Sequence, residues 1–103
     1  MFISDILAST SKIERYTEDL SYEDFQEDEL VQDAVIKNLL DIGEAVKNIP
    51  LEFRKEHTNI DWRGMAGLRD ILVHAYFGVD LEIIWDIVEN KVPVLKEQLS
   101  IFL

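Results

Sequence analysis

The chain contains no cysteine, which removes disulfides, a thiolate nucleophile and any Cys-based zinc site. Its two histidines, His57 and His74, lack partners at ligand spacing, so neither a metal nor another cofactor is expected. No apolar run approaches the roughly 18 residues of a membrane span, and the N-terminus lacks the basic region of a secretory signal. The expectation is a cytoplasmic protein without a membrane. Four glycines and two prolines are too few for a disordered or low-complexity chain. Basic residues are also scarce: ten Lys and Arg stand against 21 Asp and Glu, a net charge of −11. That balance argues against gripping nucleic acid by bulk electrostatics.

What is present fits one folded unit. The 103 residues with 48% hydrophobic content predict a single domain over 1–103 that buries roughly two-thirds of its unfolded surface. The charge is polarised along the chain. Residues 14–33 carry nine acidic side chains against Arg15 alone, whereas residues 47–69 carry Lys47, Arg54, Lys55, Arg63 and Arg69 against three acids. The acidic stretch reads first as a solvated face, and otherwise as a dock for a basic partner.

The periodicity is helical throughout. Ile3, Ile6, Thr10, Ile13, Tyr16 and Leu20 recur at steps of three and four and predict a first helix. Ser21 with Asp24 is a capping signal for a short turn through Phe25. Val31, Val35, Leu39, Ile42, Val46 and Ile49 form a second, wide stripe, as of a helix buried on more than one side. Pro50 closes it and is placed to open a short helix over 51–56. Asp61 suits the N-cap of a helix from Trp62 to about Phe77, which Gly78 stops. Gly64 and Gly67 inside that span each cost about 1 kcal/mol against alanine; close approach of another backbone would offset this, and a start near Met65 is the alternative. Asp80 caps the next helix, with Val79 and Ile84 at staple spacing. The last stripe, Ile84, Val88, Val92, Leu95, Leu99 and Phe102, crosses Pro93, where a kink or fresh start is expected. Strand-like alternation is not sustained anywhere. The fold class is an all-α bundle of four or five helices.

Polar groups concentrate in Arg69-Asp-Ile-Leu-Val-His74-Ala-Tyr76. On an α-helix Asp70 and His74 are i,i+4 neighbours able to hydrogen-bond. Arg69 and Tyr76, seven apart, share the adjacent stripe. Arg69 and His74 stand about 140° apart around the axis, so the spacing suggests a composite site across a two-fold dimer. Histidine ordinarily titrates near neutrality and serves as general acid or base. Arg69 offers a forked, permanently charged donor for a phosphate. Such a set suits metal-independent cleavage of RNA, in which the 2′-hydroxyl attacks its own phosphodiester. The plainer alternative is a local Asp70–His74 pair, a surface Arg69 and a core Tyr76.

The same run resembles the R-x4-H-x-Y signature of the HepT-like branch of HEPN-domain proteins. Gln32-Asp-Ala-Val-Ile-Lys-Asn-Leu-Leu-Asp-Ile-Gly-Glu44-Ala resembles that family's second helix, and Asp61-Trp62-Arg63 with Ala66-Gly67-Leu68 its lead-in to the motif. Leu81-Glu-Ile-Ile-Trp-Asp-Ile and Pro93-Val-Leu-Lys-Glu-Gln resemble its C-terminal helices. The likeness covers essentially the whole chain; Gly64 departs from the larger polar residue expected there. It implies a small HEPN-like homodimer, an RNA-cleaving toxin whose antitoxin is a minimal nucleotidyltransferase attaching AMP to the motif tyrosine. Arg69 and His74 then become the catalytic pair, Tyr76 the modification site, and Asp70 the polar residue following the motif arginine.

Glu44 either faces the cleft as a supporting group or is solvated. Arg54, Lys55 and Arg63 are candidate RNA contacts or ordinary surface charges. His57 reads as a surface residue, and Trp62 and Trp85 as core or dimer aromatics. The competing functional class is a non-catalytic helical dimer that binds a nucleotidyltransferase or a nucleotide. The acidic balance leans toward it, and the intact Arg, His and Tyr lean toward the toxin.

Overall fold

Helix α1 spans Phe2–Thr17 and buries Ile6, Ser9, Thr10 and Ile13, the stripe expected from the sequence. The computed structural model describes residues 2–77 and 80–103, with the side chains of 74–77 outside that description. Asp19 ends the first helical run in the left-handed region, at φ 62°, which an aspartate tolerates better than most residues. Helix α2, Tyr22–Glu27, opens with a capping box in which Ser21 and Asp24 satisfy each other's backbone N–H groups. Asp28 follows as N-cap of α3, Glu29–Lys47, its carboxylate accepting from the Val31 N–H.

Helix α3 is the centre of the bundle. It packs against α1 on one side and against the later helices on the other. Val35, Leu39, Ile42 and Val46 are essentially inaccessible to solvent, so the width of its apolar stripe reflects burial from two directions. Pro50 precedes α4, Leu51–Glu56, as its fixed φ allows.

The expected single helix from Trp62 to Phe77 is in fact two: α5, Trp62–Ala66, and α6, Leu68–Phe77. Gly67 separates them, its N–H closing α5 on the Arg63 carbonyl while its own carbonyl accepts from Asp70 and Ile71. Gly78 and Val79, expected as a stop and a staple residue, lie outside the described residues. Asp80 stands at the N-cap of α7, Leu81–Asp86, without a side-chain capping bond. The kink expected at Pro93 takes another form. A π-helical turn over Ile87–Lys91 runs directly into α8, Val92–Ser100, and the Val92 N–H reaches five residues back to the Ile87 carbonyl. Widening the turn ahead of Pro93 relieves the clash its ring makes with the carbonyl four residues earlier. Ile84, Val88, Val92, Leu95 and Leu99 still share the core.

Helix α8 returns along α1, joined to it by a 2.7 Å ion pair between Lys96 and Glu14. Both side chains are well exposed, so the pair contributes at most about 1 kcal/mol. Among the described residues there is no β-strand, and no helix is long and apolar enough to cross a membrane. The architecture is the all-α bundle expected, with α1, α3, α6 and the α7–π–α8 run as its main bodies.

Candidate functional site

The motif helix is positioned by glycine and by two leucines. A β-carbon on Gly43 would lie 3.1 Å from the Met65 carbonyl oxygen and 3.6 Å from the Leu68 β-carbon. The bare backbone of α3 therefore admits the end of α5 and the start of α6. This is the close backbone approach that the sequence suggested for Gly64 and Gly67, and it lies elsewhere. At Gly64 a side chain would instead collide with the Asp61 carboxylate, which caps α5 by accepting from the Gly64 N–H. At Gly67 the nearest atoms belong to its own turn.

Leu68 and Leu72 bury the inner face of α6. Arg69, Asp70, Ile71 and Val73 are all exposed. Arg69 makes no ion pair or side-chain hydrogen bond with a described residue, leaving its guanidinium fork available for two oxygens of one phosphate. Asp70 is likewise exposed. The side chains of His74 and Tyr76, and so the expected Asp70–His74 pair, lie outside the described residues; the α6 backbone carries both positions.

Glu44 is exposed. It follows Gly43 by one residue, as Arg69 follows Leu68, so the two sit on adjoining helices just past the point where those helices meet. No ion pair joins them. Lys55 and Arg63 are exposed. Arg54 is half-buried, its Nε donating to the Ile49 carbonyl and its Nη2 to that of Lys47, at 3.1 and 3.4 Å. These carbonyls belong to the unsatisfied end of α3, where a cation is favoured.

His57 departs from the surface position expected of it. Its ring packs between Phe53 and Phe102, with centroids 4.5 and 4.7 Å away, and its carbonyl accepts from the Trp62 indole N–H at 2.9 Å. Trp62 is buried. Trp85 is half-buried against Phe25, with ring centroids 5.0 Å apart.

One feature near α6 had no clear sequence signal. A cleft of about 360 Å³ runs between α5–α6 and the π–α8 segment. Met65, Leu68, Ile71 and Leu95 give it an apolar floor, and Asn59 and Lys91 stand among its polar walls. Lys91 was hidden because its place depends on the π turn, which periodicity at 3.6 residues does not reveal.

Comparison with known proteins agrees with the likeness read from the motif. The family model described as Ribonuclease HepT-like matches residues 6–101. A Methanocaldococcus jannaschii protein named as a gamma-glutamylcyclotransferase and candidate RNase is 44% identical over 99 residues, covering 96% of this chain and 45% of that protein. A candidate RNase of the same organism is 50% identical over 92 residues, covering 89% of this chain and 76% of its own length. The probable ribonuclease HepT of Thermococcus cleftensis is 46% identical over 95 residues, covering 92% and 86%. The chain thus spans less than half the length of the first of these relatives and most of the other two. No solved structure matches significantly.

Proposed function

Because the chain belongs to the HepT-like ribonuclease family, we propose that it is the RNA-cleaving toxin of a toxin–antitoxin pair, acting in the cytoplasm as a homodimer of one-domain subunits. The observation that carries this reading is Arg69: an exposed guanidinium without a partner among the described residues, five positions before His74 on α6.

In the proposed reaction Arg69 holds the scissile phosphate and stabilises the charge that gathers on it during attack. His74 takes the proton from the RNA 2′-hydroxyl as the new P–O2′ bond forms. The P–O5′ bond breaks, and the departing oxygen receives a proton from the second imidazolium of the dimer. The products are a 2′,3′-cyclic phosphate and a 5′-hydroxyl, and no metal is required. Two copies are needed because one helix holds Arg69 and His74 about 140° apart. The groove beside α6, with exposed Lys91 on it, supplies a neighbouring path for the strand. Asp70 and Glu44 support the pair, and Arg63, Lys55 and Arg54 are further candidate phosphate contacts.

Neutralisation is assigned to a minimal nucleotidyltransferase that attaches AMP to Tyr76. Seven residues separate Tyr76 from Arg69, which puts both positions on one stripe of α6. An added phosphate there would occupy Arg69 and exclude RNA by charge and bulk. The exposed apolar side chains of Ile71 and Val73 favour a second reading, a protein-binding dimer that cleaves nothing.

The test is cleavage of total cellular RNA in excess EDTA by protein shown unmodified by intact mass, beside His74→Ala and Arg69→Ala. Cleavage by the wild type alone supports the toxin. A folded wild-type dimer that leaves RNA intact overturns it in favour of the binding dimer.

A further inference from the structure

Away from α6, Tyr22 of α2 and Trp85 of α7 wall an open cleft of about 320 Å³. Their ring centroids are 6.2 Å apart, with the planes inclined at 42°. Trp85 is held from behind by Phe25, which is wholly buried, so this aromatic wall is rigid. The remaining lining side chains are Glu82, Asp86, Glu89 and Asn90. Steps of four and three along α7 and the π turn bring the three carboxylates to one side of the segment. None has an ion pair among the described residues; Asp86 accepts only from the Asn90 amide. Asp80 and Glu23 add to the negative field at Tyr22, whose phenol is held above its usual range by partial burial and by Glu82 and Asp80.

Like charges a helical turn apart weaken a helix rather than strengthen it, so the fold gains nothing from this arrangement. The cleft pairs two π faces with three unneutralised carboxylates, the complement of a flat organic cation. We propose that it receives an arginine side chain from a basic segment of a partner protein, the guanidinium stacking on Trp85 and Tyr22 while its N–H groups donate to Glu82, Asp86 and Glu89. Arginine fits better than lysine because its planar fork stacks and donates in the same plane, whereas an ammonium is a compact, strongly hydrated point charge. RNA is repelled by the same carboxylates. The inference does not depend on the cleavage reaction or on α6.

The chain's two tryptophans provide the assay. In a ¹H–¹⁵N spectrum of the full chain, the Trp62 indole N–H, buried and bonded to the His57 carbonyl, serves as an internal reference. Trp85→Phe assigns the other signal. The probes are acetylated, amidated Gly-Arg-Gly-Arg-Gly, its lysine counterpart, and spermidine. At about 150 mM salt, where long-range attraction is screened, the arginine peptide should shift the Trp85 signal saturably and bind about tenfold more tightly than the other two. The combined Glu82→Gln, Asp86→Asn and Glu89→Gln variant should lose about tenfold in affinity or more. If that variant fails to fold, Tyr22→Leu reads the same cleft. Equal binding of all three probes, an affinity unchanged in the variants, or no saturable shift overturns the proposal. So does a Trp85 signal that moves on dilution without peptide, which would identify a second copy as the occupant.

Discussion

Gly43 of α3 and the Met65 carbonyl of α5 lie in such close register that a β-carbon at position 43 would stand 3.1 Å from that oxygen. The contact sets how deeply the α5–α6 corner sits on α3, and therefore where Arg69 begins. Gly43→Ala should force the corner outward and destabilise the protein by about 1–3 kcal/mol, as overpacking does. Urea denaturation measures the loss, and RNA cleavage should fall further than the folded fraction does.

Arg54 and Lys55 are neighbours with different surroundings. The Arg54 guanidinium is already bonded to carbonyls at the end of α3, while Lys55 is exposed. Arg54→Ala should cost about 1–2 kcal/mol of stability through the lost capping bonds. Lys55→Ala should leave stability within about 0.5 kcal/mol and show any RNA-binding role as a change in salt-dependent affinity alone. Denaturation midpoints beside filter binding separate the two.

Asp19 is the non-glycine residue found at positive φ among those described. Replacing it by glycine removes the steric cost of the left-handed region and should stabilise the protein by roughly 1 kcal/mol. Thermal unfolding of Asp19→Gly should therefore shift upward by about 4–8 °C. A downward shift would mean that the carboxylate itself contributes more than the strain costs.

The Tyr22 phenol is raised above 10.0 by partial burial and by the carboxylates of Glu82 and Asp80. A raised acid favours its neutral form in the folded state, so its contribution is fully present below the unfolded value. That contribution is lost as pH rises through the folded value, because the unfolded chain ionises first. Stability should thus fall above about pH 10, and Tyr22→Phe should flatten that part of the profile. Absorbance titration at alkaline pH should show the Tyr22→Phe variant missing the late-ionising phenol.

Much of the fold is legible where one residue acts on its own neighbourhood. Ser21 and Asp24 meet in the capping box, Asp61 caps α5, and Pro50 precedes α4, because caps and proline effects are decided within a few residues. The stripe of α3 is buried as its periodicity implies. The division at Gly67 was not legible, because glycine is compatible with either a weakened helix or a terminus, and only the seating of α5 on Gly43 decides between them. His57 was misread for a related reason: its ring partners, Phe53 and Phe102, come from opposite ends of the last half of the chain. At the candidate site, the sequence pattern locates Arg69 on a helix, and the structure adds that it is exposed and unpaired. It could not reveal that Arg54, equally basic, is occupied with carbonyls.

The π turn over Ile87–Lys91 gives the last helical run something like a reading frame. Its extra residue per turn is what lets Ile84 and Val88 on one side, and Val92, Leu95 and Leu99 on the other, address the same core. Deleting any one residue of that turn would restore ordinary α geometry and rotate everything beyond it by about 100°. Pro93, Lys96 and Ser100 would then take the inward positions of Val92, Leu95 and Leu99. Substitution at these sites is a matter of degree; a single-residue deletion changes the message of the whole C-terminal helix.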